Sequence, residues 1–417
     1  MKIQPDRLLA DIEALAAIGD TGDGGNCRLA LTDEDAGGRE LVVGWMRALG
    51  LDVQVDRIGN VVATRAGAEG TGAGTDADGL APVMTGSHID TVGTGGRYDG
   101  TLGVLAGLEV VRALDDAGIR TRRPLEVAFF TDEEGSRFAP DMLGSLVYAG
   151  GMPLEDALDV VAIDGAVLGD ELERIGWAGD AAVPGSAPHA YVELHIEQGP
   201  VLEEAGVTIG AVTGVQGISW QELTLTGQPN HAGTTPMRLR RDPAYVAAET
   251  IGFVRRLATD LGGHQVGTVG RVDLHPDLVN VVAARATLTV DLRNTDEAVL
   301  AHAERRLREH VAALASAEGC EVAGRRLARF EPVAFDPAVI DLVESTAERL
   351  GHSFMRLPSG AGHDAQMLAR VCPTGMVFVP SRAGVSHNPA EFTEPEHLAA
   401  GAQVLAEVLT ELAGAAE

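Results

Sequence analysis

Apolar residues recur at helical spacing over Leu8–Ile18 and again over Leu41–Leu49. Thr32 stands where the second helix needs an N-cap, and Asp33, Glu34 and Asp35 follow at its positive end. Alternation in Leu51–Val55 and Val61–Ala63, around Asp56–Asn60, predicts a hairpin. The rhythm then changes. A short strand at Val83–Thr85 ends in Ser87-His88-Ile89-Asp90, and a helix spans Leu102–Leu114. A continuous apolar strand at Leu125–Phe130 ends in Thr131-Asp132-Glu133-Glu134, and Val192–Ile196 carries His195. Buried strands alternating with helices predict an α/β domain built on a mostly parallel sheet with helices on both faces. Its polar residues gather just past strand C-termini, where such sheets place their sites.

From about residue 212 the order becomes strand, strand, helix, strand, strand, helix, strand. Ser219–Thr226 and Ala286–Leu292 alternate cleanly, so this sheet has one wet face, and helices near Pro243–Leu261 and Glu297–Ala315 cover the other. That is a smaller α+β unit of the split βαβ, ferredoxin-like kind. The first pattern then resumes with a helix at Ala338–Leu350, a strand at Met376–Val379 and a helix at Pro395–Leu412. We therefore expect one domain from residues 1–211 and 330–417, interrupted by a second at 212–329. The small and acidic residues of Gly67–Gly79 read as a surface loop without chemistry.

Charge adds a constraint. With 32 basic against 61 acidic residues the formal net charge is −29, which opposes nucleic acid or an anionic membrane as a partner. The acidity is uneven: Gly214–Arg329 holds 14 Arg against 13 Asp plus Glu, so the rest carries the whole excess. The three cysteines, Cys27, Cys320 and Cys372, form no CxxC pair, so a thiolate zinc site is not suggested. The N-terminus has no apolar leader and no apolar run has membrane-spanning length, which predicts a cytoplasmic protein.

The residues able to bind metal are, in chain order, His88, Asp90, Asp99, Glu133, Glu134, His195, Glu197 and His387. All sit at predicted strand ends or in Gly-rich turns. Imidazole and carboxylate without thiolate suit Zn, Mn, Co or Ni. Asp90, two residues beyond His88, would orient its ring from behind. Taken singly, each could equally be a turn or cap residue. Spacing alone leaves a metal site and a set of caps both open.

Several blocks together point further. Thr85-Gly86-Ser87-His88-Ile89-Asp90-Thr91-Val92 with Gly95-Gly96-Arg97-Tyr98-Asp99-Gly100 resembles the hydantoinase/carbamoylase family of amidohydrolases. Phe130–Phe138, His195-Ile196-Glu197-Gln198-Gly199-Pro200, Gln228–Met237, Ser359–Ala365 and Ser386-His387-Asn388-Pro389 match its later blocks in order. The resemblance implies two divalent metal ions per subunit, with His88 and His195 on one, Glu134 and His387 on the other, and Asp99 between them. It implies Glu133 as general base on a metal-bridging water, His231 as donor to the oxyanion, and Gln198, Asn280, Arg293 and Gly362 as substrate contacts. Asp90 is counted with Glu133 and His231 among the catalytic residues. His363 and Asp364 are open between a site role and helix capping. A His at position 195, where aminoacylases and carboxypeptidases place an acid, favours the carbamoylase branch.

The resemblance further implies a carboxylate-bearing small-molecule substrate and a homodimer formed through the 212–329 domain. That domain would also act as a lid, since it carries His231, Asn280 and Arg293. The leading expectation is hydrolysis of an N-carbamoyl-L-amino acid. Allantoate amidohydrolase and β-ureidopropionase are alternatives in the same family, and an aminoacylase or dipeptidase is one outside it. A catalytically silent binding protein would lack a ligand or the base, and none is lacking.

Overall fold

The apolar runs read as strands become the centre of a mixed sheet. A computed structural model of the chain describes residues 1–68 and 79–414, so most of the Gly67–Gly79 segment lies outside the described residues. The strands are β1 (Asp52–Val55), β2 (Val61–Arg65), β3 (Val83–His88), β4 (Leu125–Phe130), β5 (Ala190–Ile196), β6 (Ile209–Val215), β7 (Gly217–Thr226), β8 (Asn230–His231), β9 (Val266–His275), β10 (Val281–Val282), β11 (Arg285–Asn294), β12 (Glu321–Phe330), β13 (Val333–Ala334), β14 (Phe354–Ser359) and β15 (Thr374–Val379). The chain divides into two compact units, Met1–Gly214 with Phe335–Glu417, and Val215–Ala334.

In the first unit the strand order is β1-β2-β4-β3-β5-β15-β6, with β14 also beside β6. Its centre is parallel: β3 pairs with β4 and β5, and β5 with β15. Antiparallel strands flank it, because β1 and β2 form the expected hairpin and β6 runs against β15. Every residue of β3, β4, β5 and β15 is buried, as a sheet covered on both faces requires. Thr85 packs on Gly107 of the Thr101–Asp116 helix, where a methyl group would approach the Thr85 side chain to 2.9 Å. Val192 shares the Thr85 register, and Glu193, one residue on, meets the opposite layer through the Ala365 N–H. Residues 138–189 give no clear periodicity. They form short helices around a satellite core of Phe138, Leu143, Val147, Leu168 and Leu172.

The second unit holds a four-stranded antiparallel sheet in the order β12-β7-β11-β9. Ala286, Leu288, Val290 and Leu292 point one way along β11 and join a core with Val246, Val254 and Leu257 of the Pro243–Leu261 helix and Leu300, Leu307 and Val311 of the Glu297–Glu318 helix. The intervening β11 residues are partly exposed, giving the wet face. Asp242 and Asp296 cap the two helices. No helix among the described residues is long and apolar enough to cross a membrane.

Two buried arginines hold the loops that leave the parallel strands. Arg28 donates through Nε to the carbonyl of Ile89 (2.7 Å), and its Nη1 donates to the carbonyls of Leu15 and Ile18. Arg39 pairs with Asp35 (2.8 Å) and reaches the Gly59 carbonyl and the Thr131 hydroxyl. The exposures of Arg39 and Asp35 are 1% and 0%, so removing one charge strands the other. Arg39→Ala is expected to cost about 3–5 kcal/mol, measured as a lowered denaturant midpoint. A loss within the error of the titration would show that the pair contributes nothing net.

Candidate active site

Four neighbouring parallel strands deliver side chains to one edge. His88 is the last residue of β3, Glu133 and Glu134 follow β4, His195 is the penultimate residue of β5, and the segment after β15 returns Ser386 and His387. Asp99 lies between them, from the turn before the Thr101–Asp116 helix. Its Oδ1 is 3.1 Å from His195 Nε2 and 3.7 Å from His88 Nε2. Its Oδ2 is 3.4 Å from His387 Nε2, which is itself 3.2 Å from Glu134. His88, Asp99 and His195 thus make one cluster of possible ligand atoms and Asp99, Glu134 and His387 another, each with its atoms within 4.8 Å of one another. One carboxylate serves both, one oxygen to each.

The donor set fits divalent cations. The Nδ1 atoms of His88 and His195 are tied to the backbone carbonyls of Asp90 (2.9 Å) and Ile196 (2.8 Å), so each ring presents Nε2 to the cluster. Burial alone would lower the His195 pKa, but hydrogen bonding and charge from Asp99 override it and lift it to about 9. Asp99 and Glu134 together lift His387 to about 11. Protons on these rings are what a metal ion displaces. Burial pushes the Glu133 carboxyl well above its ordinary range, with Asp364, Glu134, Asp90 and Asp99 adding repulsion. So many acids in a dry pocket call for a compensating cation.

Glycine makes the close approach possible at one position. Gly100 has φ +65°, and a Cβ there would lie 2.3–2.4 Å from atoms of the His88 ring.

Some expectations need correction in detail. The His88 ring is held by the Asp90 backbone carbonyl, while the Asp90 carboxylate stands 4.0 Å away. That carboxylate instead accepts the N–H groups of Glu133 and Glu134, both at 3.3 Å. The reason is local: β3 ends at His88, so the same-face rule of a strand does not reach residue 90. Glu197, one of the possible ligands, caps the following helix through the N–H groups of Val201 and Leu202. Gln198 donates to Asp99 Oδ2 (2.8 Å), which places its amide at the edge of the candidate ligand clusters. Asp364, left open between site and cap, accepts no N–H of its helix; it is buried beside Ser145. His363 is buried too, with Nε2 on the Ser359 hydroxyl (2.8 Å) and its ring edge-on to His195. A side chain at Gly362 would meet Met142 at 2.9 Å, so the position admits only glycine without a shift.

Two acids gain significance that sequence reasoning did not give them. Glu193 binds the Ser87 hydroxyl (2.6 Å) and the Ala365 N–H (2.9 Å) from below His195. Its spacing of two from His195 on a strand was the available signal. Glu391 binds the backbone at Asp99 and carried no such signal.

The second unit carries the remaining expected residues. His231 is exposed and pairs with Val281 across β8 and β10. Its Nδ1 accepts the N–H groups of Gly233 (3.1 Å) and Thr234 (3.3 Å), which puts the ring proton on Nε2 as a donor. The Asn280 carbonyl accepts the Ala232 N–H (2.9 Å) beside it. Arg293 is engaged by Asp291 (2.9 Å) and lies 5.8 Å above the Trp220 ring.

The model of the peptidase family M20/M25/M40 matches residues 84–411. The chain belongs to that family. It is 43% identical to an N-carbamoyl-L-amino-acid amidohydrolase of Rhizobium meliloti over 99% of this chain and 97% of that one. It is 40% identical to an N-carbamoyl-L-amino acid amidohydrolase of Geobacillus stearothermophilus over 99% of each. More distant relatives include a ureidoglycolate hydrolase of Oryza sativa subsp. japonica, 32% identical over 98% of this chain and 85% of the other. A crystal structure of a hydantoinase/carbamoylase family amidase from Burkholderia multivorans superposes with a TM-score of 0.94 at 48% identity, covering 99% of this chain and 98% of that one. Within family M20 the chain is therefore a hydrolase of the hydantoinase/carbamoylase group, as its sequence blocks suggested.

A cation bound at these clusters would stabilise this M20 hydrolase by mass action, by roughly 3 kcal/mol at a hundredfold excess over its Kd. Stripping metal with a chelator is expected to lower the melting temperature by several degrees, and adding back Mn, Co, Zn or Ni to restore it. A melting temperature indifferent to chelation and to all four ions would count against a metal in these clusters.

Proposed function

We propose that the protein is a metal-dependent amidohydrolase that cleaves the carbamoyl C–N bond of an N-carbamoyl-L-amino acid. The observation carrying this reading is the Asp99 carboxylate, one oxygen toward each ligand cluster, with Glu133 beside it at 3.4 Å from His88. His88 and His195 would hold one ion, Glu134 and His387 the other, with Asp99 shared. Bound there, divalent ions supply Lewis-acid charge and water acidified to near-neutral pKa.

The chain's own groups do the rest. Glu133 takes the proton of the attacking water and returns it to the leaving nitrogen, a role suited to a carboxyl whose pKa burial raises. Asp90 holds the two backbone N–H groups that aim Glu133 and Glu134. His231, with its proton on Nε2, donates to the oxyanion, a contribution of the order of 10²–10³ in rate. Gln198, Asn280 and Gly362 line the substrate, and Arg293 takes its carboxylate in a planar fork. The second unit would serve as lid and dimer contact. The 32% identity to a ureidoglycolate hydrolase supports a second reading in which a ureido acid is the substrate.

The experiment, with each metal restored, is ammonia release from N-carbamoyl-L- and D-amino acids, β-ureidopropionate, allantoate and ureidoglycolate, and release of free amino acid and acetate from an N-acetyl amino acid. Metal-dependent turnover of the carbamoyl-L compounds is expected. Turnover of ureidoglycolate or allantoate alone would select the second reading, and cleavage of the acetyl compound alone would return the protein to the aminoacylases. Glu133→Gln is expected to retain metal and lose about 10²–10⁴ in kcat; near wild-type turnover would remove Glu133 as the base. Arg293→Ala should raise KM for carboxylate-bearing substrates far more than for neutral amides. An equal loss on both would end its anchoring role.

A further inference from the structure

Glu391 lies in the segment after β15, four residues beyond His387, and is buried. Its Oε1 accepts the backbone N–H groups of Tyr98 (3.0 Å) and Asp99 (3.2 Å). Its Oε2 is 3.1 Å from the Ser386 hydroxyl, which is also 3.0 Å from Asp99 Oδ2. One side chain thus touches both the main chain that carries Asp99 and a hydroxyl on the Asp99 carboxylate. A second link joins the same two segments, from the Thr94 hydroxyl to the His387 carbonyl (3.2 Å). The approach depends on Gly96, where a Cβ would fall 2.2 Å from Glu391 Oε1.

We propose that Glu391 is a positioning residue that sets the bridging geometry of Asp99. It holds the 98–99 backbone and, through Ser386, the oxygen that faces Glu134 and His387. The inference rests on the reading of Asp99 as a shared metal ligand. The argument is one of constraint. A bridging carboxylate must point its two oxygens at separate ions, which fixes the rotation of its plane. The Oδ1 atom is directed by His88 and His195, both buried and anchored through Nδ1. The Oδ2 side faces His387, which is half exposed on a left-handed residue of a loop. That side has less support from the sheet, and there Glu391, Ser386 and Gln198 supply it. Losing such an outer partner typically weakens metal binding or activity 10–100-fold.

The test compares Glu391→Ala, Glu391→Gln and Gly96→Ala with the wild type, all loaded with Co(II). Affinity is measured by chelator competition, geometry by the visible absorption spectrum, and turnover as separate kcat and KM. Gln keeps an acceptor oxygen for the two N–H groups and can donate its amide to Ser386 Oγ, so it should restore most of what Ala loses. Glu391→Ala is expected to weaken one of two cobalt-binding steps 10–100-fold, shift the spectrum and lower kcat with little change in KM. Gly96→Ala should reproduce the effect by displacing the carboxylate. If Glu391→Ala fails to fold, Glu391→Gln and Gly96→Ala carry the comparison: a spectral change larger in Gly96→Ala than in Glu391→Gln supports the proposal. Wild-type affinity and spectrum in Gly96→Ala and in every folded Glu391 variant would overturn it. A wild type that binds no cobalt would instead overturn the metal-site reading beneath it.

Discussion

The structure depends on placing several carboxylates in one dry place. Asp99, Glu133, Glu134, Asp90 and Glu391 converge at the C-terminal edge of a buried sheet, where the local dielectric magnifies every repulsion. Such a cluster is tolerable only with strict geometry and compensating charge. The imidazoles of His195 and His387 provide part of that charge, as their raised pKa values record. Divalent ions at the same atoms would provide it more fully, and in doing so would keep Glu134 and Asp99 ionised. Stability and chemistry therefore draw on the same arrangement. The chain holds it by tying Asp90 and Glu391 to backbone N–H groups, and Asp99 and Glu134 to imidazoles and to neighbouring polar side chains.

The loops are fixed from outside the cluster. Arg28 clamps the Ile89 carbonyl, one residue from His88, to the end of the first helix, and Arg39 links Thr131 to Gly59 and Asp35. Neither arginine touches a candidate ligand. Each turns the N-terminal helices into a brace for the turns after β3 and β4. A guanidinium suits this work because its planar donors can satisfy three or four carbonyls in fixed directions. The cost of burying the charge is met by those contacts and, for Arg39, by Asp35.

Much of this was legible along the chain, for identifiable reasons. The parallel strands are all apolar because both faces are covered, and the β7 and β11 alternation is clean because one face is wet. The candidate ligands lie at strand ends, so the motif blocks and the strand pattern reinforce each other. What was not legible arises where spacing rules stop. Asp90 lies past the end of β3, so its backbone and not its carboxylate holds His88. Glu197 looks like a ligand in its motif but spends both oxygens on a helix start. Glu391 contacts residues almost three hundred positions away, and no local pattern announces such a partner. Residues 138–189 hide their fold because their helices are too short for periodicity to accumulate.

The second unit shows the same preference for local preorganisation. His231 has its tautomer set by the N–H groups of Gly233 and Thr234, which leaves Nε2 as the donor for the oxyanion role proposed for it. Arg293 is oriented by Asp291 and by the Trp220 ring beneath it. A side chain already ordered in this way loses little rotamer entropy when it binds, which is where a flexible arginine would otherwise lose affinity. The arrangement also has a consequence for selectivity. Asp291 repels an incoming carboxylate even as it aims the guanidinium, so net charge alone is a poor recommendation for a ligand here. If Arg293 takes the substrate's carboxylate as proposed, the gain must come from matching the directions of its donors, and a planar carboxylate set at the right distance would do that where a merely anionic group would not.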